Sequence, residues 1–310
     1  MPNVHKTQLL NELRARFGEF HELAGSRSLL ALGDDAARIY IRYSKVHRRG
    51  GPFFGLREVD LRQLEGHNAF LCLLLDDGSP PVFVPFADFE EVFRGAETAK
   101  DGQFKVHLFS RGDALELYVA RQGRFNVEGY VGFDSLSRSL DAGRLREAGD
   151  LSHSQVQTLL VGIGHIKGHD VYVPQADVAK LDWSLTAGFP LRENVPVGFD
   201  RVANVLSEID VLWIASGRDE IEGLFEVEHS TPIYSGLLRF NDVLLTDSKV
   251  SRFSIVSNDT RRSAFAQQLF RPTFRRSGLA ERVSFLEYAN VLHWHARLAK
   301  GESRSGMRPE

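Results

Sequence analysis

The chain has 310 residues, 43% hydrophobic and 25% charged, an ordinary globular balance and length enough for two domains. A single cysteine, Cys72, excludes an intramolecular disulfide, and no apolar run nears the roughly 20 residues of a membrane span. The net charge of −3 is uneven: residues 141–250 carry 9 Lys+Arg against 17 Asp+Glu, and residues 251–310 carry 11 against 5. An acidic middle beside a basic end suits a cation site flanked by a polyanion-binding surface.

The opening "MPNVHKTQLLNELRARFGEF" is charged and amphipathic, unlike a signal peptide, so a cytoplasmic location is expected. Leu9, Leu10, Leu13, Phe17 and Phe20 recur at helical spacing and predict a helix over 7–24. Short aromatic and β-branched runs follow at 38–46, 69–76, 81–86, 104–110, 115–120 and 125–133, separated by Gly, Pro and Asp. They predict a mostly antiparallel β domain over 1–140. Cys72, inside "AFLCLLLDD", reads as a buried, inert thiol.

"RIYIRYSKVHRRGGPFFGLR" interleaves Arg38, Arg42, Lys45, Arg48, Arg49 and Arg57 with Tyr40, Tyr43, Phe53 and Phe54. A strand there puts Arg38, Tyr40 and Arg42 on one face, a surface suited to phosphate contact and base stacking. The plainer reading is a solvated face with Phe53 and Phe54 in the core.

From about residue 141 the pattern becomes α/β. A helix capped at Ser152 or Ser154 is followed by a strand at 169–174, a helix at 199–207 and strands at 208–215 and 223–230. Next come a helix capped by Ser230 or Thr231 with Pro232 in its first turn, a strand at 252–257 and closing helices. This order implies a mixed central sheet covered on both faces, so the fold class is α+β to α/β, with 141–310 as the second domain.

"EIDVLWIASGRDEIEGLFEVEHS" places two strands around a polar loop, and a hairpin about Arg218 opposes residues numbered to 436. Asp210 then faces Glu226, and Glu208 faces Glu228. Ile209 and Val211 meet Val227 and Phe225 on the other pleat. Four carboxylates about 5 Å apart repel unless protonated or bridged by a cation. All-oxygen ligation favours Mg²⁺ first and Mn²⁺ second. The competing reading is a solvated acidic edge.

"EIDVLW", "LFEVEHSTPIYSGLLRF", the upstream "LLVGIGHIKGHDVYVPQAD" and the downstream "RRSAFAQQLFRPTF" and "RVSFLEYA" resemble the PD-(D/E)XK, or restriction-endonuclease-like, nuclease superfamily, and within it a bacterial restriction-type group with an FEVEHST…SGLLR signature. The resemblance covers about 150–290. It implies Mg²⁺-dependent hydrolysis of DNA phosphodiesters by Asp210, Glu226 and Glu228, with metal held by Asp210, Glu226 and the Val227 carbonyl. Glu208 joins that set by the pleat argument, in place of an acid the superfamily often carries on its first helix. Glu228 stands where the family usually has Lys, which leaves the general base open.

The resemblance further implies double-stranded DNA as partner, with a homodimer and a companion methyltransferase or defence-system proteins as associated expectations. Arg239 is expected either to reach a phosphate or to pair with Asp242. Arg271 belongs to a basic group with Arg261, Arg262, Arg275 and Arg276 that suits the DNA backbone or a solvated helix exterior. Two rival functions are a non-cleaving DNA-binding protein of the same fold and a two-carboxylate glycosidase. "GIGHIKG" follows a helical run and breaks dinucleotide-loop spacing. The spacing of His165, His169 and "HWH" at 293–295 does not suit zinc, and His229 reads as structural. Asp210→Ala is expected to abolish cleavage and leave the fold intact.

Overall fold

The computed structural model describes residues 4–23, 26–33, 35–46, 51–111, 114–144, 151–230, 232–247, 249–250 and 252–305. It is an α+β protein in two compact units, Met1–Arg146 and Glu147–Glu310.

The first unit begins with α1 (Val4–Phe17), followed by β1 (Phe20–Glu22), β2 (Leu29–Leu32), β3 (Ala37–Ser44), β4 (Phe53–Arg57) and α2 (Glu58–Arg62). Next are β5 (Ala69–Leu75), β6 (Val82–Pro85), α3 (Glu90–Arg94), β7 (Gln103–Arg111), β8 (Ala114–Val119), β9 (Gly123–Asn126) and α4 (Phe133–Arg144). The strands form a sheet ordered β1-β2-β3-β5-β6 and a second ordered β4-β7-β8-β9. All pairs are antiparallel except β3 with β5.

Alternation along the strands makes this a layered domain. Tyr40, Leu71 and Val84 on one face of the first sheet pack against Phe54, Val106 and Leu117 of the second. Ile39, Phe70, Cys72 and Phe83 on the opposite face pack against Leu9 and Leu13 of α1 and Leu136 of α4. Burial pushes the Cys72 thiol well above its ordinary pKa, so it is inert as expected.

Three expectations fail locally. The first helix stops at Phe17, because Gly18 takes φ +85° and redirects the chain, and Phe20 opens a strand. The strand expected over 125–133 ends at Asn126 and continues as a 3-10 turn at Glu128–Tyr130. Arg38 is not a surface cation. It is 2% exposed, forked onto Asp35 at 2.6 and 2.7 Å, and donates to the Gln63 carbonyl at 2.5 Å. Arg38→Ala would take the guanidinium from the buried Asp35 carboxylate, which also has His67 Nδ1 at 3.9 Å, at an expected cost of about 3–5 kcal/mol in urea unfolding. A loss below about 1 kcal/mol would show that the pair carries no such weight.

The second unit contains α5 (His153–Ile166), β10 (His169–Tyr172), α6 (Gln175–Val178), α7 (Ala203–Leu206), β11 (Val211–Ala215), β12 (Ile221–Val227) and α8 (Ile233–Thr246). These are followed by β13 (Phe253–Ser257), α9 (Arg262–Leu269), α10 (Pro272–Ser277), β14 (Val283–Glu287) and α11 (Tyr288–Ser305). Its sheet runs β10-β11-β12-β13-β14. The first two pairings are antiparallel and the last two parallel, which makes the sheet mixed, as expected.

Both faces are covered. Leu212, Leu224, Ile255 and Phe285 meet Leu237, Phe240 and Val243 of α8 together with Phe265 and Phe274. Val211, Trp213, Phe225 and Val256 meet Leu159 and Ile163 of α5 and Trp294 and Leu298 of α11. The glycines of "GIGHIKG" serve this packing: a Cβ at Gly164 would lie 2.5 Å from Trp213 Nε1. Helix α8 starts at Ile233 with Pro232 as N-cap and no side-chain cap, so Ser230 does not cap it. Thr231 lies outside the described residues.

Candidate active site

The hairpin of β11 and β12 forms in the expected register, Val211 opposite Phe225 and Leu212 opposite Leu224. A bulge between Trp213 and Ile214 shifts it nearer the turn. Strand β11 begins only at Val211. Asp210 therefore sits at the strand's threshold, and Glu208 lies exposed in the turn after α7. The opposition of Glu208 to Glu228 is not formed. The four-acid row reduces to Asp210, Glu226 and Glu228, because α7 ends at Leu206 and the turn consumes the residues that would have extended the strand.

Glu226 and Glu228 are 1% and 2% exposed. They face α8, which approaches at Gly236: a Cβ there would lie 2.9 Å from Glu228 Oε1 and 3.3 Å from Glu226 Cβ. A glycine is needed for the helix to close over both acids. One turn along α8, Arg239 forks Glu226, with Nε to Oε1 at 2.5 Å and Nη2 to Oε2 at 3.0 Å. Neither expected fate of Arg239, a free phosphate contact or a pair with Asp242, describes this state. Burial pushes the Glu226 carboxyl up to about 8. The Arg239 fork opposes the shift, and Asp210 and Glu228 add to it by repulsion. The same contact raises the Arg239 pKa.

Asp210 is held from three sides. Its Oδ2 accepts from the Val227 amide at 2.7 Å. Its Oδ1 lies 3.4 Å from His153 Nε2, and its backbone carbonyl accepts from Gln157 Nε2 at 2.9 Å. His153 and Gln157 are one turn apart on α5 and share a face. That helix begins as a capping box: Gln155 N donates to Ser152 Oγ and Ser152 N donates to Gln155 Oε1. The box fixes His153 in the first turn. Asp210 is the main cause of the raised His153 pKa, and a hydrogen bond with the Val227 backbone adds to it.

Two buried polar atoms beside this cluster have no partner among the described residues: Gln157 Oε1 and the Tyr288 hydroxyl. Burial pushes Tyr288 up to about 12, with charges at Arg261, Glu228 and Asp210 also acting on it. His229 is exposed and stacks on Tyr288 with ring centroids 6.2 Å apart. Sequence reading missed His153, Gln157 and Tyr288. A capping-box signature before an apolar helix was the one available signal for His153.

The remaining expected contacts scatter. Arg42 is half-buried over the Tyr40 ring, Lys45 is exposed, and Arg57 is forked by Asp60. Arg48 lies outside the described residues. Arg271 is exposed, 4.5 Å from the Tyr234 ring centroid. Arg262 is buried against Asp259 and Glu287, and Arg261 donates to the Glu228 carbonyl at 2.7 Å. The aromatic surface of the first unit lies instead on the outer face of the β4-β7-β8-β9 sheet. There Phe53, 40% exposed, neighbours His107, and Arg124 lies over Phe109.

Among the described residues, no three His, Cys, Asp or Glu side chains are already gathered into a metal cage; Arg239 and His153 compensate the acids instead. Carboxylate oxygens are the donor type that a hard dication prefers. Asp210 and Glu226 offer oxygens close enough to repel each other, and Gln157, whose amide nitrogen donates to the Asp210 carbonyl, has a buried oxygen without a partner among the described residues.

No helix among the described residues is long and apolar enough to cross a membrane. No curated protein and no solved structure matches the chain. The family model described as the type II restriction enzyme NmeDI C-terminal domain matches residues 137–306. That match spans more than half of the sequence and encloses every acid of the site, and on this ground the chain belongs to the family of the NmeDI restriction-enzyme C-terminal domain.

Proposed function

We propose that the chain is a divalent-cation-dependent DNA endonuclease of the restriction type, with Asp210, Glu226 and Glu228 as its catalytic acids. One observation carries the reading: a restriction-enzyme family chain gathers three carboxylates, two of them buried, at the end of one hairpin. Such crowding is costly unless a cation resolves it. The mixed sheet and the acids at the junction of β11 and β12 support a PD-(D/E)XK reading of the second unit.

In this reading Asp210, Glu226 and the Val227 carbonyl would hold Mg²⁺, or Mn²⁺ in its place. When bound, the ion supplies positive charge beside the scissile phosphate and lowers the pKa of a water. Glu228 would orient the attacking water and accept its proton on a carboxylate oxygen, the task a lysine has elsewhere in the superfamily. Arg239, which forks Glu226 in the metal-free chain, would be placed to contact a phosphate oxygen if Glu226 turned to a metal ion. Duplex DNA is the substrate. A homodimer would supply one site per strand, and a companion methyltransferase would protect the host sequence.

A second reading is a DNA-binding protein that does not cleave. The Arg239 fork on Glu226 and the glutamate at 228 favour it. Supercoiled plasmid incubated with protein and increasing Mg²⁺ or Mn²⁺ separates the two readings. Nicking that rises with the ion and stops with EDTA supports the endonuclease. A gel shift with no nicking at any ion concentration overturns it.

A further inference from the structure

We propose that the outer face of the β4-β7-β8-β9 sheet binds single-stranded DNA, stacking unpaired bases on an aromatic platform whose flanking cations receive the phosphates. The face belongs to the first unit and needs no cation at Asp210, so it stands independently of the cleavage reading above.

The strand register builds the platform. Side chains alternate along each strand, and inward ones such as Phe54, Val106, Leu108 and Leu117 fill the core between the two sheets. The outward ones line up across the sheet. Phe53 lies opposite His107, His107 opposite Tyr118, and Tyr118 opposite Arg124, so one row crosses all four strands. Lys105 and Phe109 flank His107 on β7 and share its face. The His107 and Phe109 rings are 5.8 Å apart and 12° from parallel. Phe53 lies 5.2 Å from His107, and Tyr118 lies 6.4 Å from Phe109, centroid to centroid. Phe53 is 40% exposed, and the other three rings are half-buried. A contiguous aromatic patch left at the surface marks a binding face.

Charge narrows the partner. Lys105 Nζ stands 5.2 Å from the Phe53 centroid, and the Arg124 guanidinium carbon stands 4.6 and 5.8 Å from those of Phe109 and Tyr118. Among the described residues, the outward strand positions carry Arg57, Lys105 and Arg124 against one acid, Glu116. Arg57 is committed to the buried Asp60. Lys105 and Arg124 meet Asp101 and Glu116 in partly exposed pairs, which contribute little and which a phosphate oxygen can replace. Ring faces with cations beside them are the groove chemistry of single-strand binding, because any base can stack and every nucleotide brings a phosphate. A duplex keeps its base faces against one another and offers nothing to such rings. Membership of a restriction-enzyme family makes the strand DNA.

The test uses the full chain in EDTA with an end-labelled oligothymidylate of about 12 nucleotides, within the range that one single-strand site covers, followed by fluorescence anisotropy. The wild type is expected to bind the strand. F53A, F109A and Y118A are each expected to weaken binding about tenfold, the effect of one lost base stack. K105Q and R124Q are expected to weaken it and to flatten its dependence on salt. Unchanged thermal melting shows that each variant is folded. F53A and R124Q alter the most exposed members of the patch and keep the test decisive where a half-buried ring also supports the fold. A wild type that binds no single strand overturns the proposal, as do folded ring variants that bind as tightly as the wild type. So does a change of oligomeric state in F53A, read by light scattering, with oligonucleotide binding unchanged: the face would then be a protein interface. With no divalent ion present, failure here leaves the cleavage reading intact, and failure of cation-dependent nicking leaves this one intact.

Discussion

Asp210→Asn is expected to reduce cation-dependent plasmid cleavage by about a thousandfold or more, with the melting temperature unchanged. A bound cation contributes several kcal/mol of transition-state charge stabilisation, and each ~1.4 kcal/mol is tenfold in rate. Asparagine keeps an oxygen for the Val227 amide, which Asp210 Oδ2 now accepts at 2.7 Å, and removes only the charge. Alanine removes both. Val227 is 1% exposed, so Asp210→Ala leaves a buried N–H unpaired, at an expected cost of about 1–3 kcal/mol. The alanine variant, expected from the sequence to keep its fold, is on this ground expected to keep it at a lower melting temperature than the asparagine variant. Comparing the two variants by plasmid turnover and thermal melting separates chemistry from structure. Activity of D210N within tenfold of wild type would remove Asp210 from the cation's ligands.

The second unit was more legible in the sequence than the first, and the reason is periodicity. In "VLWIASGRDEIEGLF" the apolar residues flank one polar loop, so one hairpin register satisfies them, and Val211 does oppose Phe225. In the first unit, β2 reads "LLAL" and is buried on both faces. Such a run carries no alternation by which to recognise a strand. Strand β4, "FFGLR", was absorbed into a cationic segment because it borders one. The end of α1 was misplaced because Phe20 continues the helical spacing, while the backbone turns at Gly18 on a positive φ that side-chain pattern does not report.

The candidate site divides similarly. Asp210, Glu226 and Glu228 were readable because acids amid apolar strand residues violate burial preferences. Glu208 does not oppose Glu228 because the limit of β11 depends on where α7 stops. Arg239 was expected to reach a phosphate or to pair with Asp242 on α8 itself. Its actual partner, Glu226, is 13 residues away and comes into reach only because Gly236 lets the helix close on β12. Arg38 looked like a surface cation because its partner Asp35 sits in a turn at φ +67°, three residues earlier. The Arg239 miss concerns a contact between elements, where tertiary approach decides; those at Arg38 and Glu208 turn on where a local element begins or ends.

The metal-free protein is expected to lose stability as pH rises from about 4.5 to about 8, by a few kcal/mol, because of Glu226. Its carboxyl moves from an ordinary 4.5 up to about 8 in the folded chain, chiefly through burial. Between those values the folded state holds a proton that the unfolded state has released. The contribution is therefore fully present below about 4.5 and lost as pH climbs through about 8, at roughly 1.4 kcal/mol per pH unit. Glu226→Gln cannot ionise, so the difference between its urea-unfolding profile and that of the wild type, measured in EDTA from pH 5 to 9, isolates this group. Parallel profiles would show that Glu226 stays ionised throughout, neutralised by the Arg239 fork alone. Adding Mn²⁺ should offset about half of the wild-type loss, because an ion bound to the ionised folded site would contribute about 2.7 kcal/mol at a hundred times its dissociation constant. The same addition should leave the glutamine variant nearly unmoved, since an amide is a weak ligand for a hard cation. The acids that destabilise the empty fold at high pH are, in this account, the groups whose repulsion the cation relieves.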